Sequence, residues 1–346
     1  MGAQLRVYRR QIRSVNSTKK ITKAMELIAA SRIAKAQQRR NAARPYAEEM
    51  RRALAALSDD RTLQNPMLTG VENPRRAGIV IITSDRGLAG GYNANALRRA
   101  NELARELEGQ GKEVERYVIG RKGVAYYKFR NVELAGSWTG FSEQPNFVDA
   151  RGATQAVVAA LQATSEGEIR TRSDEDDDSD QGSSQEGKPG IDELYVVYTR
   201  FVNSVTQSPT AVLVSPAKGS SDADGITDDV SDDDESDDHD SAQSADDDSS
   251  DRDTNVLYEF EPEPASLIAA LLPRYISSRI FSALLESAAS ESAARRRAMK
   301  SASDNATELI KTYTRLANQA RQAEITQEIS EIVGGADALA SAGVDE

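Results

Sequence analysis

The sequence contains no cysteine and a single histidine, and these two scarcities exclude several kinds of site. Without cysteine, neither a disulfide framework nor a thiolate metal centre can form. His239 lies in a run of aspartates with no second nitrogen ligand near it in sequence, so we expect a surface residue rather than a metal ligand. A mechanism that uses histidine as general acid or base is therefore not expected.

Long apolar runs are missing as well. No apolar stretch approaches the ~20 residues that a membrane-spanning helix needs. The N-terminus also lacks the apolar core of a signal peptide. We therefore expect a soluble, cytoplasmic protein that reaches a membrane only through partner proteins.

The net charge of −12 is distributed unevenly. Residues 171–190 hold 7 acidic and 2 basic side chains, and residues 218–255 hold 16 acidic and 2 basic ones. The whole chain has 55 acidic and 43 basic side chains. The rest of the chain therefore carries a net charge of +7. Both acidic stretches are rich in serine and offer almost nothing to bury, so we predict disordered insertions at 171–190 and 217–256.

Glycine is absent from residues 5–57, which contain a single proline, Pro45. Apolar residues recur there at three- and four-residue spacing, which predicts one face of a long helix in a coiled coil. The predicted contact residues are Leu5, Tyr8, Ile12, Val15, Ile21, Met25 and Ile28. We assign residues 1–60 to this shaft helix and expect Pro45 to kink it or end it early.

Residues 257–346 predict a second and longer shaft helix. Pro264 suits a first helical turn, whereas Pro273 should bend or restart the helix. About 65 helical residues give a length of ~100 Å, against ~75 Å for the N-terminal helix, so the second helix should outrun the first. Gly334 and Gly335 each cost ~1 kcal/mol in a helix interior, so the tip is expected to fray or end there. The predicted contact residues are Leu309, Tyr313, Leu316, Ala320 and Ala323.

Between residues 76 and 216, short apolar runs alternate with helical patterns. The predicted strands are 78–83, 114–119, 193–198 and 210–214, and the predicted helices are 95–108, 123–129 and 148–163. This alternation predicts a compact α/β domain with a mostly parallel sheet. The fold class is therefore α/β, with a globular domain over residues 76–216 and a long antiparallel coiled coil of the N- and C-terminal helices.

The turn from Gly87 to Gly91 follows a predicted strand and precedes a predicted helix, where dinucleotide-binding folds hold phosphate. Its spacing is not G-x-G-x-x-G, and no P-loop lysine follows it. A tight strand-to-helix turn explains these glycines without a ligand. A nucleotide-binding α/β enzyme with helical arms stays open as an alternative.

Four segments together resemble one known family. The run Arg321-Gln-Ala-Glu-Ile-Thr-Gln-Glu-Ile-Ser-Glu-Ile-Val-Gly-Gly-Ala-Asp-Ala338 is similar to the C-terminal signature of the gamma subunit of F-type ATP synthases. Residues 21–30 (ITKAMELIAA) resemble the N-terminal shaft of the same family, and residues 84–93 (SDRGLAGGYN) resemble its glycine turn. Residues 298–306 (AMKSASDNA) complete the set in the family's order.

The resemblance implies a central rotor shaft without an active site, cofactor or metal of its own. Its globular domain is expected to be Rossmann-like and to grip a proton-driven membrane c-ring. The expected partners are the alpha, beta and epsilon subunits and the c-ring, at the cytoplasmic face of the membrane. In this family the shaft turns inside the alpha/beta hexamer and biases its catalytic sites toward different nucleotide affinities.

The resemblance also implies residues that couple rotor to stator. The segment with Lys23 and Met25 is expected to face a moving loop of the beta subunit. Coupling at the upper shaft is expected from Arg295, Gln322, Thr326 and Glu328. Actinobacterial members of the family resemble this chain in an extra loop near residues 171–190, for which we hypothesise a role in restraining ATP hydrolysis.

The N-terminal helix carries 14 basic residues from Arg6 to Arg52, against three acidic ones. Basic helices can bind nucleic acid, so a basic coiled-coil nucleic-acid scaffold is a second alternative. Here the basic residues spread around the helix without clustered aromatic residues, which is typical of a solvated coiled-coil exterior. The resemblance favours a third interpretation, a positive shaft that faces acidic stator loops and binds no nucleic acid.

Overall fold

The computed structural model describes residues 2–58, 66–163, 190–217 and 264–342. Its helices are α1 (Gly2–Ser58), α2 (Pro66–Thr69), α3 (Tyr92–Gly109), α4 (Arg121–Phe129), α5 (Phe147–Gln162) and α6 (Pro264–Ala342). Its strands are β1 (Arg76–Ile82), β2 (Glu113–Ile119), β3 (Gly136–Trp138), β4 (Glu193–Phe201) and β5 (Gln207–Ser215). The predicted α/β class with two long terminal helices is confirmed. The predicted insertions at 171–190 and 217–256, except Gly190 and Ala217, lie outside the described residues.

The five strands form one sheet in the order β3-β2-β1-β4-β5. Neighbouring strands are parallel from β3 to β4, and β5 runs antiparallel to β4. We call residues 76–215 the head. The mostly parallel sheet is as predicted; β3 was not predicted, because its three residues are too few to show a periodic pattern.

Both faces of the sheet are covered, which explains why β1 is apolar along almost its whole length. Ile79 and Ile81 pack against α3 and α4 on one face. Val80 and Ile82 point to the other face and join a core that includes α5 and both shaft helices. Alternate side chains of β1 therefore face the outer helices on one side of the sheet and the shaft on the other.

The shaft is an antiparallel pair of α1 and α6. The rings of Tyr8 and Tyr313 lie 6.5 Å apart, and a hydrogen bond joins Thr22 to Ser303. The inward-facing positions of α1 repeat every three and four residues without interruption, as in a coiled coil. They are Leu5, Tyr8, Ile12, Val15, Lys19, Thr22, Glu26, Ala29, Ile33, Ala36, Arg40, Ala43, Ala47, Met50, Leu54 and Leu57.

This regular repeat corrects part of the predicted seam. Ile21 and Ile28 are 57% and 53% exposed, and the inward positions are Thr22 and Ala29 instead. Apolar residues near both ends of α1 determine which heptad positions face α6. The same positions then face α6 in the more polar middle of the helix. The assignment of Ile21 and Ile28 to the seam was therefore wrong, and both lie on the outer surface of the shaft.

The seam of α6 was predicted about one position out of phase at its ends. Leu309 and Ala323 are exposed, whereas Tyr313, Leu316 and Ala320 are partly buried as expected. The inward-facing positions are Met299, Ser303, Ala306, Ile310, Tyr313, Ala317, Ala320 and Glu324. Several of these are small or polar, so hydrophobicity alone does not mark the phase.

The C-terminal helix outruns its partner, as predicted. Tyr8 lies opposite Tyr313, and the described part of α1 begins six residues before Tyr8, so no described residue of α1 lies opposite α6 beyond about residue 320. Every residue from Ile325 to Gly334 is exposed. The roughly 20 residues up to Ala342 therefore extend ~30 Å past the paired region.

Neither proline nor the paired glycines end a helix. α1 continues through Pro45, and α6 continues through Pro273 and past Gly334 to Ala342. Proline in a helix interior costs ~3 kcal/mol, but Leu272 and Ile276 beside Pro273 are buried in the core of the head. Burial of these neighbours offsets the lost hydrogen bond, so tertiary packing overrides the local signal.

Among the described residues, one helix, α6, contains a stretch long and apolar enough by composition to cross a membrane. About 44% of that stretch is buried inside the protein. A helix that packs in the core of a folded domain meets the same criteria, so the stretch is weak evidence for a membrane span.

Candidate functional site: the shaft and its joint with the head

The sheet has the topology that creates a ligand crevice in doubly wound folds. The chain passes from β1 outward to β2 and β3, then returns to place β4 on the other side of β1. In such sheets ligands bind outside the carboxyl ends of the two strands where the order reverses, here β1 and β4. This crevice is where a nucleotide-binding enzyme of this fold would hold its ligand.

In this chain α6 occupies that crevice. Ser287 accepts a hydrogen bond from the backbone N–H of Thr199 in β4 (3.3 Å), and its carbonyl accepts one from the Tyr92 hydroxyl (3.4 Å). Glu286 accepts one from the backbone N–H of Phe201 at the end of β4 (3.4 Å). The groups that face a ligand in other folds here bind the shaft.

Small side chains let α6 approach the sheet closely. Ala289 and Ala293 pack against Phe201 together with α1 residues, and Ala294 packs against Ala89 and Tyr92 at the glycine turn. Alanine keeps helical backbone geometry while adding little bulk. The alanine-rich part of α6 is therefore the surface on which the end of the sheet is seated.

Arg295 fixes α6 to the glycine turn. Its guanidinium pairs with Glu291 one turn earlier (2.7 Å) and with Glu143 in the loop before α5 (3.2 Å). It also donates to the carbonyls of Arg86 and Gly87, each at 3.4 Å. Arg295 is only 5% exposed, so these contacts within the chain surround its side chain.

We call the contact of α6 with the end of the sheet and the glycine turn the joint. Two carboxylates on α6 are buried there. Burial raises the pKa of Glu291 to about 7, although the nearby Arg295 guanidinium opposes the shift. Burial also raises the pKa of Glu286, which pairs with Arg40 of α1 at 3.6 Å. A charged carboxylate loses hydration on burial, so both groups hold their protons more tightly than in water.

Asp85, in the turn after β1, holds the neighbouring loops in place. It accepts hydrogen bonds from the backbone N–H groups of Arg121 (3.1 Å), Gly140 (2.8 Å) and Ser142 (3.0 Å). Burial raises the pKa of Asp85, but these backbone donors outweigh it and hold the pKa below its usual value. One carboxylate therefore ties together the loops that follow β1, β2 and β3.

A cavity of about 280 Å³ remains beside the turn, lined by Gly90, Gly91 and Arg297 among others. Its volume is close to the lower end of the roughly 300–1,000 Å³ of typical small-molecule sites, so the argument depends on its lining. Arg297 is the one cation among the described residues that line it, and it already donates to the carbonyl of Val205 and to the side chain of Gln207. This geometry does not favour the nucleotide-binding alternative.

The six predicted coupling residues lie at three heights along the shaft. Arg295 is in the joint. Lys23 and partly buried Met25 lie on α1 near the level of Ser303, where Lys23 is exposed and pairs with Glu26. The remaining three, Gln322, Thr326 and Glu328, are exposed on the part of α6 that extends beyond the N-terminus of α1.

These heights are far apart. Ser303 and Gln322 are separated by 19 residues of continuous helix, a rise of ~30 Å. Gln322 and Thr326 share one face, since the Thr326 hydroxyl donates to the Gln322 carbonyl at 3.0 Å. The structure therefore places Gln322 and Thr326 on one face of the tip and Glu328, two residues later, on another, and it keeps the other three residues lower on the shaft.

Sequence reasoning missed Glu143, Glu291 and Asp85 as parts of the joint. Asp85 was inside a quoted motif, and Glu291 precedes Arg295 by four residues, a spacing typical of helical ion pairs. Either signal could have been used. Glu143 stands alone in a loop, and nothing in its sequence context indicates that it meets distant arginines.

Comparison with known proteins agrees with this geometry. A family profile described as ATP synthase matches residues 4–339. ATP synthase gamma chains from Frankia casuarinae and Saccharopolyspora erythraea are each 50% identical to this chain over 341 residues, covering 99% of both sequences. A gamma chain from Salinispora arenicola is 50% identical over 345 residues, with the same coverage.

Solved structures share the fold at low sequence identity. A chain of the Euglena gracilis mitochondrial ATP synthase (OSCP/F1/c-ring) matches with a TM-score of 0.60 and 15% identity, covering 98% of this chain and 95% of that one. A chain from the rotor of the same enzyme matches with a TM-score of 0.58. The long paired helices, the joint and the near-complete coverage at 50% identity lead to one conclusion: the chain belongs to the family of ATP synthase gamma chains.

Proposed function

We propose that this chain is the central rotor of an F-type ATP synthase and couples the rotation of a proton-driven membrane ring to the catalytic cycle of an alpha/beta hexamer. The observation that carries the proposal is the asymmetry of the shaft, in which a single helix extends ~30 Å beyond the paired region. An asymmetric shaft presents different faces to the otherwise equivalent catalytic sites of the hexamer. It can therefore bias each site toward a different state through differential contacts.

The surface of α1 suits a partner of opposite charge. Its basic side chains lie mainly on the outer face, away from α6; exposed examples are Arg6, Arg9, Arg10, Arg13, Lys20 and Lys23. Attraction between such a surface and acidic stator loops does not depend on one fixed geometry and so tolerates rotation. Ile21 and Ile28 add exposed apolar contacts on the same helix.

The coupling residues act in two ways in this proposal. Lys23 and Met25 contact the stator directly along the paired shaft, and Gln322, Thr326 and Glu328 do so at the single-helix tip. Arg295 acts indirectly, because it is buried and holds the glycine turn to α6. A substitution at Arg295 therefore alters how torque crosses the joint rather than a contact with another subunit.

The proposed partners are the alpha and beta subunits around the shaft, and the epsilon subunit and c-ring at the head. The complex is placed at the cytoplasmic face of the cell membrane, with this chain peripheral to the bilayer. The chain transmits conformational change and performs no chemical step itself. In support, the crevice that could hold a nucleotide is filled by α6.

The test is to isolate this chain, through a C-terminal affinity tag, from cell membranes and from reconstituted mixtures of subunits. Recovery of an ATPase-active complex with alpha, beta and epsilon subunits is expected. The purified chain is expected to show no micromolar nucleotide binding and no steeply salt-dependent affinity for duplex DNA. Nucleotide turnover by the chain alone, or recovery without any hexamer, contradicts the proposal.

A further inference from the structure

Glu143 meets three arginines that come from three different elements. Arg295 of α6 lies 3.2 Å from its carboxylate, and Arg86 of the glycine turn lies 3.6 Å away. Arg32 of α1 contacts the same carboxylate directly. One side chain in the loop between β3 and α5 thus touches the turn after β1 and both helices of the shaft.

The loop that carries Glu143 is held rigidly. Next to it, Ser142 donates its backbone N–H to Asp85 (3.0 Å), and its hydroxyl accepts the backbone N–H of Asp85 (2.8 Å). Gly140 in the same loop is bound to Asp85 as well. The position of the Glu143 carboxylate is therefore set by the sheet rather than by a flexible loop.

Much of the remaining contact between head and shaft is apolar, beside the hydrogen bonds that Glu286, Ser287 and Arg297 of α6 make to the head. Leu54 and Leu57 of α1, and Leu272 and Ile276 of α6, belong to the large core shared with β1 and β4. Apolar burial is strong but non-directional, so it resists separation more than sliding. Ion pairs with fixed donor geometry supply the direction that apolar packing lacks.

Burial makes this cluster sensitive to the loss of one member. The side chain of Glu143 is 14% exposed and that of Arg295 is 6% exposed. Removal of Glu143 takes a carboxylate away from buried Arg295, which keeps its pair with Glu291, and from Arg32, whose side chain is 26% exposed. The loss of Glu143 affects arginines on the head and on both shaft helices together, whereas the loss of Arg32 affects α1 alone.

We propose that Glu143 is a positioning residue that fixes the rotational register of the head on both shaft helices, through Arg32 and Arg295. The proposal rests on the rotor function proposed above. Torque that enters at the head then reaches the tip of α6 without slip at the joint. Glu143 touches no substrate in this account and acts only through the two arginines.

The test uses the assembled enzyme in sealed vesicles and measures ATP hydrolysis and ATP-driven proton pumping in the same preparation. Glu143→Gln removes the charge at nearly constant volume and is expected to lower protons pumped per ATP several-fold, with hydrolysis little changed. Glu143→Asp keeps the charge and should recover part of the lost pumping. Glu102→Gln, which removes an exposed carboxylate that pairs within α3, is the matched control and should behave as wild type.

A second variant covers the case in which Glu143→Gln fails to assemble. Arg32→Gln removes only the contact from α1, and a smaller loss of pumping per ATP is expected. The double variant should be no worse than Glu143→Gln alone, because both changes break one interaction. The proposal is overturned if Glu143→Gln pumps as many protons per ATP as the wild type. If only Arg32→Gln assembles, a wild-type ratio in that variant overturns it. An equal loss in the control, Glu102→Gln, overturns it as well. A failure of the wild-type enzyme to pump would instead contradict the rotor function.

Discussion

The hydroxyl oxygens of Thr22 and Ser303 lie 2.7 Å apart in the buried seam between α1 and α6. This hydrogen bond fixes the register of the shaft where the seam is polar. Thr22→Val leaves the buried Ser303 hydroxyl without this partner, and we expect it to lower the free energy of unfolding by about 1–3 kcal/mol. In Ser303→Ala the Thr22 hydroxyl keeps its hydrogen bond to the Lys19 carbonyl (3.1 Å), so a smaller loss is expected. Denaturant unfolding of the purified chain measures both effects.

The double variant Thr22→Val/Ser303→Ala provides the control for that prediction. With both hydroxyls removed, no unpaired polar group is left, so its stability should return close to that of the wild type. If the two single effects simply add, the hydroxyls do not act as a pair, and the register of the shaft must be set elsewhere.

The stability of the joint should depend on pH through Glu291. Its pKa is about 7 in the folded chain against 4.5 for the free side chain, so the folded state binds the proton more tightly. The contribution of Glu291 to stability is therefore largest below pH 4.5 and is lost as the pH rises toward about 7. Above that pH the buried carboxylate is charged, and its desolvation opposes folding.

Glu291→Gln cannot titrate and isolates this contribution. The stability of this variant relative to wild type should rise as the pH increases from 5 through about 7, and thermal unfolding across that range measures it. A flat difference for Glu291→Gln over this range would mean that the carboxylate is not desolvated at the joint.

Substitutions at the tip and at the joint should separate activity from stability. Glu328 is exposed on the unpaired end of α6, so Glu328→Gln should change the free energy of unfolding by no more than about 0.5 kcal/mol. Arg295→Ala removes the buried partner of Glu291 and Glu143 together with two hydrogen bonds to the glycine turn, and it should cost about 3–5 kcal/mol.

The assembled enzyme provides the second half of that comparison. If the tip contacts the stator, Glu328→Gln should lower the rate of ATP synthesis despite its unchanged stability. Unfolding of the isolated chain and synthesis by the complex are therefore measured for the same two variants. A Glu328→Gln enzyme that makes ATP at the wild-type rate removes Glu328 from the coupling set.

The chain leaves α5 and enters β4 at the same place. The backbone N–H of Ile191 donates to the carbonyl of Ala160 (2.9 Å), and a Cβ on Gly190 would collide with the carbonyl oxygen of Ala163. Residues 164–189 can therefore be replaced by a short glycine–serine linker without moving either element. We expect such a variant to fold and assemble with a melting temperature close to that of the wild type.

The same variant tests the hypothesis that the acidic residues 171–190 restrain ATP hydrolysis. Faster hydrolysis with unchanged assembly is the expected result. Unchanged hydrolysis and synthesis would make the segment a spacer, whereas failure to fold would mean that it contributes to the structure of the head.

The sequence predicts most of the fold because its strongest local signals agree with the packing. The apolar runs at Ile79–Ile82 and Tyr195–Tyr198 become strands buried on both faces, and the glycine-free N-terminal segment becomes one helix. Ile21 and Ile28 were assigned to the seam on hydrophobicity, but the heptad phase set by distant apolar residues turns them outward. Long-range packing likewise keeps α6 helical through Pro273.

The joint was less accessible to sequence reasoning than the shaft. Arg295 was selected through family resemblance, but its burial and its contact with the Gly87 carbonyl appear only once α6 is placed against the sheet. Glu143 is separated from Arg32 by 111 residues, and no spacing rule connects them. Contacts between distant segments depend on topology, and local periodicity carries no information about them.

The most direct test of the rotor account is to watch the head turn. Because the chain has no cysteine, Lys128→Cys on the exposed surface of α4 gives a single attachment site for a probe. With the alpha/beta hexamer fixed to a surface, ATP should drive stepwise rotation of the probe in one direction, and the rotation should stop when ATP is removed. A hexamer that hydrolyses ATP at its full rate while the labelled head stays still would contradict the account.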